Sequence, residues 1–370
     1  DENGKPLNTS ANYLKFNKNG ASEGEPVFVV GNPGRTERYR TVTQLKFDRD
    51  YRYPLQYKFM KNRNDLMMKK YNAIKNDPSK EFEAQELLNN IANVANSMKA
   101  FGGISKGLKN PELFGRKEEM ENYIRSKSPG ITYWDDLTKL YDVLNPQGWA
   151  ATLLSPSSLR GKIYTMMHDL ENYAEMVETS APQDKKDKLK AVIIEKAKSI
   201  KDEDEIELFS VFLQEIKDDI YPGDMTLQKV MGKRNIKDFV AYLVKETKFT
   251  EDKKVEKYFE KEDNMVKDDD IFLETARILV HKYKEASKLF ADSGPARQNL
   301  EAKIANQVFK VYGDKLPPDA TFTLRISDGV IKGYDYNGTI APVNTTFYGM
   351  YDRDYSNKRG FPFSLPQKWL

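Results

Sequence analysis

Residues 87–101 read Leu87-Leu88-Asn89-Asn90-Ile91-Ala92-Asn93-Val94-Ala95-Asn96-Ser97-Met98-Lys99-Ala100-Phe101. Apolar side chains recur at Leu87, Ile91, Val94, Met98 and Phe101. Steps of three and four residues put them on one face of an α-helix. Asn89, Asn93, Asn96 and Lys99 follow the same steps and form a polar stripe opposite. Asn is a poor mid-helix residue, because its amide competes for backbone hydrogen bonds. Three on one stripe is a local cost, and the residues leave two uses open. The amides can bridge neighbouring helices or face solvent, or they can wall a binding cleft and accept from a charged amine.

The helical texture extends outward from this stretch, from about Leu55 to Val311. Further helices are expected over Leu137–Leu144, Leu159–Val177, Leu189–Ile200, Ile206–Ile216, Leu227–Val244, Phe272–Leu289 and Leu300–Val311. Breakers separate them at Asn110-Pro111, Ser128-Pro129-Gly130, Asn145-Pro146, Ala181-Pro182, Tyr221-Pro222-Gly223 and Gly294-Pro295. No fixed repeat period is present, which argues against a solenoid. Lys185–Lys190 and Lys201–Glu207 are charged blocks of the kind that form solvated faces.

Both flanks read as strands. Val27-Phe28-Val29-Val30, between Pro26 and Gly31-Asn32-Pro33-Gly34, predicts a buried strand ending in a tight turn. Thr41–Phe47 alternates apolar and polar residues and predicts a half-buried strand. After Pro317-Pro318, Thr321–Ile326, a Ser327-Asp328-Gly329 turn and Val330–Tyr334 predict a hairpin. The chain is therefore expected to be mainly α, a large helical domain (55–316) inserted between strand-rich segments (1–54 and 317–370) that meet in space.

Composition sets limits. The 370 residues are 39% hydrophobic and 12% aromatic, ample for a sizeable core. Charged residues reach 31% but leave a net charge of only +3, so no nucleic-acid partner is expected. No Cys is present, which rules out disulfides, Cys-based metal sites and a thiol nucleophile. No apolar run reaches the length of a bilayer span. No signal peptide opens the chain, but Asp1–Pro6 reads as a turn within a longer protein, so that says nothing about compartment.

Chemistry is sparse. The two His residues, His168 and His281, sit on predicted amphipathic helices beside Glu171 and Glu285. With no shared spacing they make a poor metal site, and no metal or other cofactor is expected. No G-x-S-x-G is present, and neither His lies on the strand-rich part where a triad would need it. Gly31–Thr36 lacks the spacing and the Lys of a phosphate loop and suffices as a turn. Asn8-Thr9-Ser10, Asn337-Gly338-Thr339 and Asn344-Thr345-Thr346 match the glycosylation sequon, which is too short to carry weight.

Three separated stretches together resemble the bacterial dipeptidyl-peptidase 7/11 family. Val27–Tyr39 is similar to its G-x-P-G-R-T-x-R-[YL] signature, with Asn32 where an aromatic is usual. Asn96-x-x-Lys99-x-x-x-Gly103-x-x-x-Gly107-Leu108 resembles its helical-domain motif. Thr323-Leu324-Arg325 with Val330-x-Lys332-Gly333-Tyr334, then Thr345-Thr346-x-x-Gly349, resembles the strands that lead to its nucleophile.

The resemblance implies a chymotrypsin-like double β-barrel carrying the helical insertion between the triad Asp and Ser. It implies that the triad lies outside this chain, so no catalytic residue is expected here and the fragment alone is expected to be inactive. The whole protein would be a serine peptidase, periplasmic, secreted or at the cell surface, and a homodimer. It would remove dipeptides from oligopeptides with a free N-terminus. The helical domain would close over the barrel, with Asn96 contacting the substrate's α-amino group and Lys99 as a neighbouring candidate. The preference next to the scissile bond, acidic or hydrophobic, stays open. The competing reading is a non-catalytic helical interaction module whose Asn stripe binds a partner helix.

Overall fold

The computed structural model describes residues 6–34, 36–144, 150–260, 268–360 and 363–370. The expected turn at Asp1–Pro6 (all but Pro6), Arg35 of the turn motif and the Asn145-Pro146 breaker lie outside the described residues. The chain divides into two units, residues 39–316 and residues 1–38 with 317–370.

The helical unit begins with a correction. Thr41–Phe47 is not a strand: α1 (Val42–Phe47) is a helix. Thr41 caps it, accepting from the Gln44 N–H, while Gln44 Oε1 accepts from the Thr41 N–H at 2.9 Å. This reciprocal capping box satisfies two donors that a helix start leaves open, and it outweighs a short alternating pattern. A π turn at Asp48–Arg52 leads on into α2 (Tyr53–Ile74). Residues 42–54 are thus helical, not part of a strand-rich segment.

Asp77 caps the turn at Pro78–Lys80, after which α3 (Glu81–Leu108) runs back along α2. Beyond the expected break, Asn110 caps α4 (Pro111–Ser126), its Oδ1 accepting from Glu112 and Leu113 N–H groups at 2.9 and 3.2 Å. Then come α5 (Tyr133–Leu144), α6 (Ala150–Leu153), α7 (Gly161–Glu178), α8 (Gln183–Ala197) and α9 (Glu203–Glu215). A second π turn, Ile216–Ile220, closes α9. The single helix expected over Leu227–Val244 is two, α10 (Met225–Met231) and α11 (Ile236–Glu246). Gly232 adopts φ +62° between them, a backbone state that glycine enters without a Cβ penalty. The unit finishes with α12 (Asp252–Tyr258), α13 (Ile271–Asp292) and α14 (Gly294–Tyr312).

Its core lies around α7, which packs on α8, α9 and α13. Tyr164, Leu170, Phe212, Phe239, Phe272 and Leu279 are fully buried there. Each comes from an apolar face repeating at helical spacing, so pattern and core agree.

In the other unit β1 (Pro26–Gly31) pairs antiparallel with β2 (Arg325–Val330), from Pro26 opposite Val330 to Gly31 opposite Arg325. Two expectations change here. Ser327-Asp328-Gly329 is no turn but lies within β2, opposite Val29, Phe28 and Val27. A ready ladder partner overrides weak local turn propensity. And β1 is mostly exposed rather than buried, with only Val27 partly covered among the described residues. The hairpin instead joins β3 (Tyr334–Tyr336) to β4 (Thr339–Ala341). Asn337 and Gly338 turn it with φ +48° and +76°, the positive values that a two-residue hairpin turn demands.

The turn motif after β1 stitches the two segments of this unit together. Asn32 Nδ2 donates to the Phe322 carbonyl at 2.9 Å, and Thr36 Oγ1 donates to Asp319 at 2.6 Å. The Arg38 N–H also donates to Asp319. Last, Phe347–Ser356 is a helix, α15, capped by Thr346, where the resemblance implied strand. The fold is mainly α, and the strands among the described residues make two two-stranded sheets.

Candidate substrate-binding face

The polar stripe lies on α3, and the structure places it as the spacing predicts. Ile91 and Val94 are buried, whereas Asn89, Asn93, Asn96 and Lys99 are exposed. Asn89 Oδ1 accepts from Gln85 Nε2 one turn earlier, at 3.3 Å. Asn96 and Lys99, one turn apart, share the exposed side. The bridging use for the Asn stripe would bury the amides between helices. Their exposure leaves solvent or a ligand.

What fixes this face is the mount beneath it. Most of the packing of α3 is against α2. The helices run antiparallel, with Tyr53 against Phe101 (ring centroids 5.9 Å apart) and Lys70 against Glu83 (3.2 Å). That register sets Asn96 level with Tyr57 and Lys58 of α2, the turn before Arg63. Gly102 allows the close approach: a Cβ there would stand 2.9 Å from the Tyr57 ring.

Along its other side α2 meets α9. Phe59 makes an edge contact with Phe212 at 6.2 Å. Arg63, only 2% exposed, donates from Nη1 to both Glu215 carboxylate oxygens at 2.7 and 2.8 Å and from Nε to the Leu159 carbonyl. Asn62 Nδ2 also donates to Glu215, at 2.7 Å. The Arg63 guanidinium lies 3.9 Å from the Phe59 ring centroid. Burial pushes the Glu215 carboxyl up, and the neighbouring guanidinium pulls it back down. Lys58–Asp219, Lys69–Glu207 and Lys70–Asp204 extend the seam, all at the surface.

Neither His is placed for catalysis. His168 is buried on α7 between Tyr164 and Tyr283, with centroids 4.7 and 5.1 Å away. Its Nε2 meets no hydrogen-bond partner among the described residues. Burial, and then the charges of Lys284, Arg160 and Lys196, bring its pKa down to about 4. It is therefore a neutral core ring near pH 7. His281 is on the surface, with Nδ1 3.5 Å from Glu285. Among the described residues no three His, Cys, Asp or Glu side chains gather as a metal site, and no helix is long and apolar enough to cross a membrane.

Sequence reasoning missed the Arg63–Glu215 pair. One signal existed: Arg63 follows Phe59 by four residues on the apolar row of α2 that Leu55 begins, where a cation needs a buried partner. Nothing in the sequence named that partner.

The sequence model of the Peptidase S46 family matches residues 1–370. A curated relative, the Asp/Glu-specific dipeptidyl-peptidase of Shewanella putrefaciens, is 36% identical over 110 residues, which is 30% of this chain and 14% of the relative. Porphyromonas endodontalis DPP11 in complex with the dipeptide Arg-Glu superposes with a TM-score of 0.65 at 16% identity, over 96% of this chain and 55% of that one. A second crystal structure of Porphyromonas endodontalis DPP11 gives 0.65 at 18% identity, over 96% and 52%. The chain thus spans about half the length of these solved structures, which at such identity show a shared fold. With the family match running over all 370 residues, the chain belongs to the peptidase S46 family.

Proposed function

We propose that this chain is the substrate-gating part of a serine-type dipeptidyl-peptidase that removes dipeptides from free peptide N-termini. The observation that carries the reading is the exposed Asn stripe on α3, which packs on α2, in a chain of a peptidase family. An amide oxygen accepts hydrogen bonds from an ammonium, and a neutral partner avoids burying an unmatched carboxylate beside it. Asn96 is the residue assigned to the α-amino group, with Lys99 beside it. An amine held at a fixed point, two extended residues or roughly 7 Å from the nucleophile, limits cleavage to the second peptide bond.

In this reading the helical unit caps the active site and excludes water, and the strand-rich unit contributes to a chymotrypsin-like double barrel. The triad lies outside this chain, so the chain alone is inactive. The whole protein acts as a homodimer, in the periplasm or outside the cell. Acidic preference next to the scissile bond is favoured by the name of the Shewanella relative, an Asp/Glu-specific enzyme.

The test is hydrolysis, by the whole protein, of dipeptidyl reporters ending in Glu or Leu, each with a free or an acetylated N-terminus. Cleavage of the free-amine Glu reporter alone supports the full reading. Equal cleavage of acetylated reporters overturns amine recognition. No cleavage of any reporter returns the chain to a non-catalytic helical interaction module.

A further inference from the structure

We infer that the Arg63–Glu215 pair is a positioning joint, which sets the register of α2 on α9 and through it the pose of the helix that carries Asn96. The consequence for Asn96 rests on the function proposed above; the joint itself does not.

The seam explains why a joint is needed. Its cations, Lys58, Arg63, Lys69 and Lys70, all come from α2, and its anions, Asp219, Glu215, Glu207 and Asp204, from α9 and the π turn after it. Such segregation draws the helices together but chooses poorly between registers. A slip of one turn brings Lys58 towards Glu215 and Lys69 towards Asp204, but carries Arg63 to Val211, where no anion meets it. The outer pairs are solvent-exposed, and exposed pairs contribute little and are screened by salt.

Arg63–Glu215 differs in kind. It is buried, charge-assisted and directional, and Asn62 and the Leu159 carbonyl take up further polar atoms around it. A slipped helix would leave the Arg63 charge buried and unmatched, which is the costly state. Two apolar residues of similar volume would hold the helices together as well or better. What they would not supply is the choice of register. Because α3 lies along α2, with Asn96 level with Tyr57 and Lys58, an error in the register of α2 on α9 is carried to the helix that bears Asn96.

The chain has no native Cys, so Ala92→Cys on α3 and Met225→Cys on α10, both exposed, admit one spin-label pair. The distance between the labels is to be measured by double electron–electron resonance in the otherwise unchanged chain, in Arg63→Leu/Glu215→Leu and in Arg63→Lys. A single narrow distance is expected in the first. The double-Leu variant should keep its helical circular dichroism and melting temperature but gain a second distance displaced by about 5 Å, one helical turn. Arg63→Lys keeps the charge and loses the planar fork, and should broaden the distribution as well. A single unshifted distance in either folded variant overturns the joint; if the double-Leu variant does not fold, Arg63→Lys decides. In the whole peptidase the same variants should raise KM about tenfold with little change in kcat. The label distances need no substrate, so a failure of the Asn96 assignment leaves them intact and is recognised separately.

Discussion

In the helical unit Leu137, Tyr164, Phe212 and Phe239 are fully buried, whereas in the strand-rich unit Phe28, Val29, Phe322 and Ile326 stand 63 to 73% exposed. Among the described residues of the second unit only Ala320 and Asp354 are buried. The difference follows from the elements. A helix satisfies its own backbone and needs only a neighbour for one face, and α7 finds three. A two-stranded ribbon leaves two faces and its outer edges open and is marginal without more chain against it. One unit therefore closes on itself, while the other leaves apolar residues exposed. That contrast is what the proposed reading, a capping domain beside a β-barrel, calls for.

Limited proteolysis can break the contrast, and here the largest effect is expected. Cleavage should remove segments of residues 6–34 and 317–370 within minutes and leave a helical core from about residue 39 to 316. Equal resistance of both units would contradict it. Next in size is the seam: Arg63→Ala leaves the Glu215 charge buried and unmatched, a loss of about 3–5 kcal/mol in chemical denaturation. A loss below about 1 kcal/mol would mean that water reaches the pair.

A smaller effect concerns pH. His168 has a pKa of about 4 in the folded chain against 6.5 ordinarily, so the unfolded chain binds more protons between those values. Stability should rise with pH from about 4 to 6.5 and then level off as far as this group is concerned, with a ceiling of about 3 kcal/mol. His168→Phe, which keeps a ring between Tyr164 and Tyr283, should flatten that slope without loss at pH 7; an unchanged slope would assign it to other groups. Smallest of all is Lys69→Ala, whose partner Glu207 is also exposed, and which should leave the melting temperature unchanged.

Much of the helical unit was legible from periodicity, because buried faces of α3, α7, α9, α11 and α13 each repeat over several turns. Short elements were not. Thr41–Phe47 alternates like a strand, yet the pair Thr41 and Gln44 carried a helix-start signal of greater weight. Ser327-Asp328-Gly329 reads as a turn only until β1 is laid beside it. Asn337-Gly338, set aside as part of a sequon, was the stronger hairpin signal and does form the turn. The exposed stripe could be foreseen from spacing, but its mount could not: Arg63 and Glu215 are 152 residues apart and meet only once α2 and α9 pack.

The central claim is that Asn96 holds the substrate's amine. Its most direct test compares the whole protein with its Asn96→Ala variant on a free-amine dipeptidyl reporter, with circular dichroism confirming the same fold. Loss of most of the activity is expected, because an unpaired ammonium would be left in a closed site. Unchanged kcat/KM in a folded variant would contradict it and return the stripe on α3 to a solvent-facing role.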